Sequence, residues 1–209
     1  MKILVLGYFG YIENKLDGQT VKTRNVYDLL KSRVDDVDFF NTEEIHHSKM
    51  SLFTMFVKFC KSSTVFYPAA GNSLKYFFPI LFILSKIFRV KINFIQIGGW
   101  LVNFLSKNPI HKYMLAHINC VFAETELMKQ RLEEVTHLTN VSLLSNFRMD
   151  ASEHTINHTD GMLRCVFMAR VMKEKGIEII FDLSRRLHEE GLNVEIDFYG
   201  KVAEKDETY

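Results

Sequence analysis

MLRCVFMARVMKEKG, residues 162–176, is an apolar run that turns basic and then gives way to a helical period. Leu163, Cys165, Val166, Phe167 and Met168 make the run, Arg170 and Lys175 follow, and from Gly176 apolar residues recur at helical spacing to Glu190. This is the pattern of a buried strand, a basic loop and a helix start. The first N–H groups of a helix lack partners within it and carry the positive end of its dipole. Arg170 and Lys175 beside them therefore suit an anion such as a diphosphate. Solvated loop charges would read the same way, so the decision rests on the surrounding chain.

Upstream, strand-like and helix-like stretches alternate. Residues 2–9 (KILVLGYF) form a nearly unbroken apolar run, as expected of a strand buried on both faces of a parallel sheet. Gly7, Gly10 and Gly18 punctuate a loop into a helix over 19–32, with Val21, Val26, Leu29 and Leu30 predicted on its apolar side. Strands follow at 36–41, 64–67, 91–97, 120–123 and 141–144, separated by helical patterns at 52–60, 74–88, up to 118, and 126–135. The fourth strand closes on Gly98-Gly99-Trp100. Such alternation predicts an α/β fold, a Rossmann-like parallel sheet with helices packed on it and ligands at the carboxyl ends of the strands. Polar residues dominate 145–161, a linker composition. A second alternation then has strand 163–169, helix 176–190, Gly191 as a stop and strand 194–199, before residues 201–209 without apolar pattern. Two strands and one helix cannot bury both faces of a sheet, so this second domain reads as begun and not finished. The expected division is a lobe at 1–147, a linker at 148–161 and the start of a second lobe at 162–209.

With 209 residues and a formal charge of +1, and with acids and bases read as interspersed, the chain has no global field favouring nucleic acid. Cys60, Cys120 and Cys165 lie far apart with no C-x-x-C spacing, which fits a reduced, cytoplasmic compartment. The amino terminus shows no signal-peptide core. Residues 74–85 (LKYFFPILFILS) are the most apolar segment, but they contain Pro79 and fall short of the roughly 20 residues a membrane span needs. They read as a core helix in preference to an interfacial one. The minority reading is a membrane-facing patch with Lys86, Arg89 and Lys91 available to anionic headgroups.

Taken in order, these segments resemble family 4 of the retaining, two-lobed (GT-B) glycosyltransferases, especially those of bacterial capsule and exopolysaccharide synthesis. The resemblance rests on Asn14-Lys15-Leu16-Asp17-Gly18-Gln19-Thr20-Val21-Lys22-Thr23-Arg24, Gly98-Gly99-Trp100-Leu101, Glu124-Thr125-Glu126, Ser145-Asn146-Phe147, and Phe167-Met168-Ala169-Arg170-Val171 with Lys175-Gly176. It implies a nucleotide-sugar donor and a saccharide or lipid-linked acceptor, with no cofactor and no metal. It also implies a cytoplasmic enzyme with peripheral contact at the inner membrane face. Arg170, Lys175 and Gly176 would bind the leaving diphosphate. Gly10, Gly18, Gln19 and Thr20, together with Gly98, Gly99 and Trp100, would line the acceptor side of a cleft, although plain structural turns would use glycines similarly. Members of the family hold the donor with two glutamates eight positions apart further along the second lobe, a region beyond residue 209. Glu126 and Glu134 share that separation but sit on a charged first-lobe helix. Many relatives also have a first-lobe histidine where this chain has Gly98-Gly99-Trp100, and none of His46, His47, His111 and His117 replaces it. No catalytic side chain is therefore assigned.

Three other readings compete. A non-catalytic binding lobe, completed by a second chain, fits the missing glutamate region. A nicotinamide-dependent dehydrogenase is disfavoured because Gly7-Tyr8-Phe9-Gly10 is not G-x-G-x-x-G. A metal-dependent transferase would use Asp36 and Asp38 as a D-x-D pair, in a place where a turn explains them equally. His154 and His158 have a helical metal spacing but lie in the polar linker without a third ligand.

Overall fold

A computed structural model describes residues 2–148, 162–169 and 171–200. The chain divides into two compact units, Met1–Ala151 and Ser152–Tyr209.

The first unit is an α/β layer structure, Rossmann-like in general kind. In chain order it contains β1 (Ile3–Gly7), α1 (Gly18–Lys31), β2 (Val37–Asn41), α2 (Glu44–His47), α3 (Met50–Cys60) and β3 (Thr64–Ala69). A π-helical turn, Ser73–Phe77, then leads into α4 (Phe78–Phe88). The unit continues with β4 (Lys91–Gln96), α5 (Leu101–Lys107), α6 (Pro109–Ala116), β5 (Cys120–Ala123), α7 (Glu126–Thr136) and β6 (Val141–Leu143). All six strands are parallel, in the order β2-β1-β3-β4-β5-β6. The chain leaves β1 for one neighbour and returns to the other side, so the topological switch point lies between β1 and β3. Ligands of open α/β sheets bind at the carboxyl ends of the strands at such a point.

Side-chain alternation divides the core. Leu4, Leu6, Val65, Tyr67, Ile92 and Phe94 point to one face, where Met55 and Phe59 of α3, Leu81 of α4, Leu101 and Leu105 of α5, Met114 of α6 and Leu132 of α7 cover them. Val5 and Ile95 point to the other face, under Val26 of α1 and beside Phe9. Each fully buried Phe or Leu here contributes about 2–3 kcal/mol. Tyr67 belongs to this packing; its hydroxyl bonds Ser73, and burial pushes its ionisation far above the ordinary tyrosine value.

Three details depart from expectation. The inner side of α1 is Thr20, Lys22, Thr23 and Val26, and Val21 and Leu29 are only half-buried. The cause is close approach: a Cβ on Gly7 would lie 2.9 Å from the Thr23 methyl, so short side chains must face the sheet there. Secondly, β3 runs on through Pro68. Its ladder with β1 ends at Val5↔Phe66, whereas pairing with β4 continues to Ala69↔Gln96. Proline has no N–H for a ladder, and its ring lies 3.5 Å from the position a Gly7 Cβ would take. The β1–β3 ladder thus ends short of the carboxyl ends, at the switch point, while Pro68 stays packed against Gly7. Thirdly, α4 buries Phe78, Leu81 and Ser85 but leaves Ile80, Ile83 and Ile87 exposed, so the apolar segment read as core has only one core face.

In the second unit β7 (Leu163–Met168) pairs in parallel with β8 (Val194–Tyr199). Between them lie a 3-10 turn, Lys173–Lys175, and α8 (Ile177–Glu189). Phe167, Phe198 and Phe181 make ring contacts that seat the helix on one sheet face. Val166, Met168 and Tyr199, on the other face, are more than half exposed.

Candidate functional site

The loop from β1 to α1 is held open and rigid by side chains from later elements. Glu43, just past β2 and 1% exposed, accepts the backbone N–H groups of Ile12 (3.0 Å) and Glu13 (2.9 Å) and the Asn41 amide (2.9 Å). Asn41 in turn accepts the Phe9 N–H at 3.1 Å. Burial alone would raise the Glu43 carboxyl. The Ile12 N–H, the Asn41 amide, the Glu13 N–H and the Tyr8 hydroxyl outweigh it and hold that carboxyl below its ordinary value. Burial, aided by Glu13 and Glu43, keeps the Tyr8 phenol protonated up to about pH 12. From the other side Arg24 donates to the carbonyls of Phe9 (2.7 Å), Gly10 (3.1 Å) and Lys15 (3.3 Å), and its guanidinium lies over the Tyr11 ring. Opposite charges thus satisfy the donors and the acceptors of one loop, which is the condition for fixing a segment without regular structure.

Gly10 is buried at a φ of +64°, and a Cβ there would meet the Lys15 carbonyl at 2.6 Å, so only glycine fits. Gly18 opens α1, and a Cβ there would meet open space. Gln19 and Thr20 form the first turn, where the Asp17 carboxylate accepts both their N–H groups and Thr20 Oγ1 accepts the Asp17 N–H. The Asp17 carboxylate thus takes up the N–H groups of Gln19 and Thr20, which are not free for an anion.

The turn after β4 is held just as firmly. Gly98 has a φ of +80°; its N–H donates to Glu124 Oε2 at 3.1 Å, and its carbonyl accepts Gln96 Nε2 at 2.6 Å. Trp100 Nε1 donates to the Ile97 carbonyl, so the indole N–H is occupied, and the ring lies against Gly71 and Phe104. Gly99 is exposed. Glu124, one residue past β5, also pairs with Lys22 of α1 at 2.9 Å, and the two side chains are 12% and 5% exposed. This pair ties the helix after β1 to the turn after β4. It brings the two expected acceptor segments into one network at the carboxyl edge. Gln96 Oε1 is buried there without a hydrogen-bond partner.

In the second unit Arg170 lies outside the described residues. Lys175 is exposed at the end of the 3-10 turn. Gly176, at a φ of +77°, is the N-cap of α8. Among the described residues no side chain caps that helix, and Glu178 in its first turn already places a carboxylate there, 3.7 Å from Lys173.

The remaining candidates fare differently. Asp38 lies in the amino half of the sheet edge strand, bound by Lys58 at 2.9 Å with Lys2 at 3.8 Å. Burial works to raise its carboxyl, and these ammonium groups bring it below the usual range. It is an ion-pair residue at the opposite end from the switch point, and no cluster of metal-ligating side chains occurs among the described residues. His154 and His158 lie outside the described residues. His111 and His117 contact the backbone carbonyls of Lys75 and Tyr113.

Lys22, Arg24, Glu43, Gln96 and Glu124 had been given no role from sequence. The available signal was a lysine on the inner turn of an otherwise half-polar helix and a glutamate directly after an apolar strand; their pairing across 102 positions left no local trace. No protein-family model matches this sequence, and no curated protein matches it significantly.

Proposed function

We propose that the chain works in glycosyl transfer. In this reading it is the acceptor-side lobe and part of the donor-side lobe of a retaining GT-B glycosyltransferase of family 4 kind. It would move a sugar from a nucleotide donor to a saccharide or lipid-linked acceptor in bacterial surface polysaccharide synthesis. The observation that carries the reading is the Gly98 turn, locked through both its N–H and its carbonyl, at the carboxyl edge of the parallel sheet. A fixed backbone edge beside an exposed glycine suits the close approach of a polyhydroxyl ligand. On the donor side, Lys175 and Arg170 would meet the diphosphate as its bond to the sugar breaks. Preorganised charge of this sort contributes on the order of 3 kcal/mol per well-placed donor. The nucleotide-sugar is substrate, and the proposal includes no resident cofactor.

Calorimetry on the full chain with nucleotide-sugars tests it. Arg170→Ala combined with Lys175→Ala should weaken binding by at least about tenfold, and a chain that binds neither nucleotide-sugar nor saccharide rejects the reading. The second reading, a non-catalytic lobe completed by another chain, is favoured by the bare sheet face with Val166, Met168 and Tyr199 exposed. Saccharide binding without nucleotide-sugar binding selects it.

A further inference from the structure

Helix α1 reaches three irregular segments at the carboxyl edge through neighbouring residues. Lys22 pairs with Glu124, whose other oxygen holds the Gly98 N–H. Arg24 holds the carbonyls of the β1–α1 loop. Asn25 Nδ2 donates to the Phe147 carbonyl at 2.5 Å, across 122 positions of sequence. Phe147 lies just past β6, near the point where the chain leaves the first unit for the second. Its ring and the Leu144 side chain pack with Val5, Phe9, Val26 and Ile95. The Leu144 N–H still bonds the Ala123 carbonyl at 2.8 Å, so the segment 144–147 is fastened at both ends, with Ser145 and Asn146 exposed between them.

We propose that α1 is a conformational coupler: it passes the state of the Gly98 turn to Phe147, so that shifting the turn unlatches the segment leading to the second unit. The helix has little slack, since Thr20 and Thr23 are fully buried and the Thr23 methyl lies 2.9 Å from the place of a Gly7 Cβ. Lys22 and Asn25, three apart, are neighbours on the helix surface and move together. A hydrogen bond is lost beyond about 3.5 Å, so a tilt that carries Asn25 about 1 Å away from Phe147 is enough to break this one. Linkage makes the effect reciprocal: whatever detaches Phe147 loosens the Gly98 turn by the same factor. The two arrangements differ in discrete hydrogen bonds, which is what a coupled pair of sites requires. The inference rests on contacts within the first unit and its assay reads no ligand, so its failure leaves the proposed function untouched.

The test is the initial rate at which chymotrypsin cuts the full chain after Phe147, read by mass spectrometry. Cutting there needs the Phe147 carbonyl free of Asn25 and the ring withdrawn from its packing. With fast reclosing, the rate follows the unlatched population. Asn25→Ala should raise it at least about fivefold, and Glu124→Gln, which changes neither partner of that hydrogen bond, should raise it comparably. Lys22→Met with Glu124→Gln cuts the same tie at nearly native stability and should raise the rate as much. Adding Asn25→Ala to Glu124→Gln should give far less than the product of the single effects, because both release one opening. Leu132→Ala, in the core under the other sheet face, should leave the rate within about twofold of native while the fold is intact. In the reverse direction Asn25→Ala should increase acrylamide quenching of Trp100, whose indole N–H is tied to the Ile97 carbonyl. A native rate in Asn25→Ala or in the Lys22–Glu124 variants, single effects that multiply, or unchanged Trp100 quenching overturns the coupling. So does a rise in Leu132→Ala as large as in Glu124→Gln, which would mean that the cut reports global stability.

Discussion

Lys22 and Glu124 form a close ion pair in a place that excludes most water, and that sets what their removal does. With side chains 5% and 12% exposed and 2.9 Å between Nζ and Oε1, neither charge can recover its hydration if the other is lost. Glu124→Gln leaves the ammonium buried beside a neutral amide, and Lys22→Met leaves the carboxylate with only the Gly98 N–H. Breaking a buried pair in this way costs about 3–5 kcal/mol. The double variant removes both charges while keeping both shapes and an acceptor for Gly98. It should be much closer to the native protein than the sum of the two, with a coupling of about 2–3 kcal/mol.

The sole tryptophan, Trp100, sits two residues from Gly98 and makes a local reporter for urea unfolding of this unit. With a slope of about 2 kcal/mol per molar urea, each single variant should lower the midpoint by roughly 2 M. The coupling should survive added salt, because a buried pair is poorly screened. Single variants within about 0.5 kcal/mol of the native protein, or effects that simply add, would show that the pair is solvated and that nothing fixes the glycine turn through it.

Other consequences of the same edge can be measured directly. The ionised Glu43 carboxylate stabilises the fold fully above its ordinary value of 4.5, and that stability is lost as pH falls below it through the lowered folded value. Chemical unfolding as a function of pH should therefore show a gap between native protein and Glu43→Gln that closes in acid; a gap constant across that range refutes it. Gly10→Ala forces a Cβ onto the Lys15 carbonyl at a positive φ and should cost about 2–4 kcal/mol by thermal unfolding. Gly18→Ala, with open space around it, should change stability by less than about 1 kcal/mol. Arg24→Met removes donors from three carbonyls and should make residues 11–16 the first site of proteolysis, with the first-unit core intact.

The strands were legible because each is a short apolar run rich in β-branched or aromatic residues, and the alternation with helices identified a parallel sheet. The order of the strands was not. Alternation alone does not say on which side of β1 each later strand is laid, and that choice creates the switch point. Pro68 misled locally: a proline in a central strand argues against the strand, and only the early end of the β1 ladder makes room for it. The all-apolar 74–88 segment hid its own orientation, since a helix without polar residues on either side gives no sign of which side faces out. Arg24, Glu43 and Glu124 were illegible for a different reason. Each has partners well outside its own element, up to 102 positions away, and no local pattern marks the pairing.

The polar residues buried in the first unit show where its fold departs from what packing alone would favour. Thr20, Lys22, Thr23, Asn41, Glu43 and Gln96 are all buried, and all lie around the carboxyl ends of the strands. A sheet core gains nothing from desolvating charges, and a pair such as Lys22–Glu124 is at best neutral against apolar residues of the same shape. What these groups do instead is take up the N–H and carbonyl groups of two irregular segments, the β1–α1 loop and the Gly98 turn. Hydrogen bonds to fixed side chains replace the water that a mobile loop would use. The segments are thereby held in one arrangement before any ligand arrives, which removes ordering cost from binding. At the amino edge Asp38, Lys2 and Lys58 make partly exposed ion pairs, and the Asn140 amide donates to the Leu115 and Ile118 carbonyls without any buried charge. Buried charge that fixes two irregular segments at the carboxyl edge is the physical ground for the site proposed there.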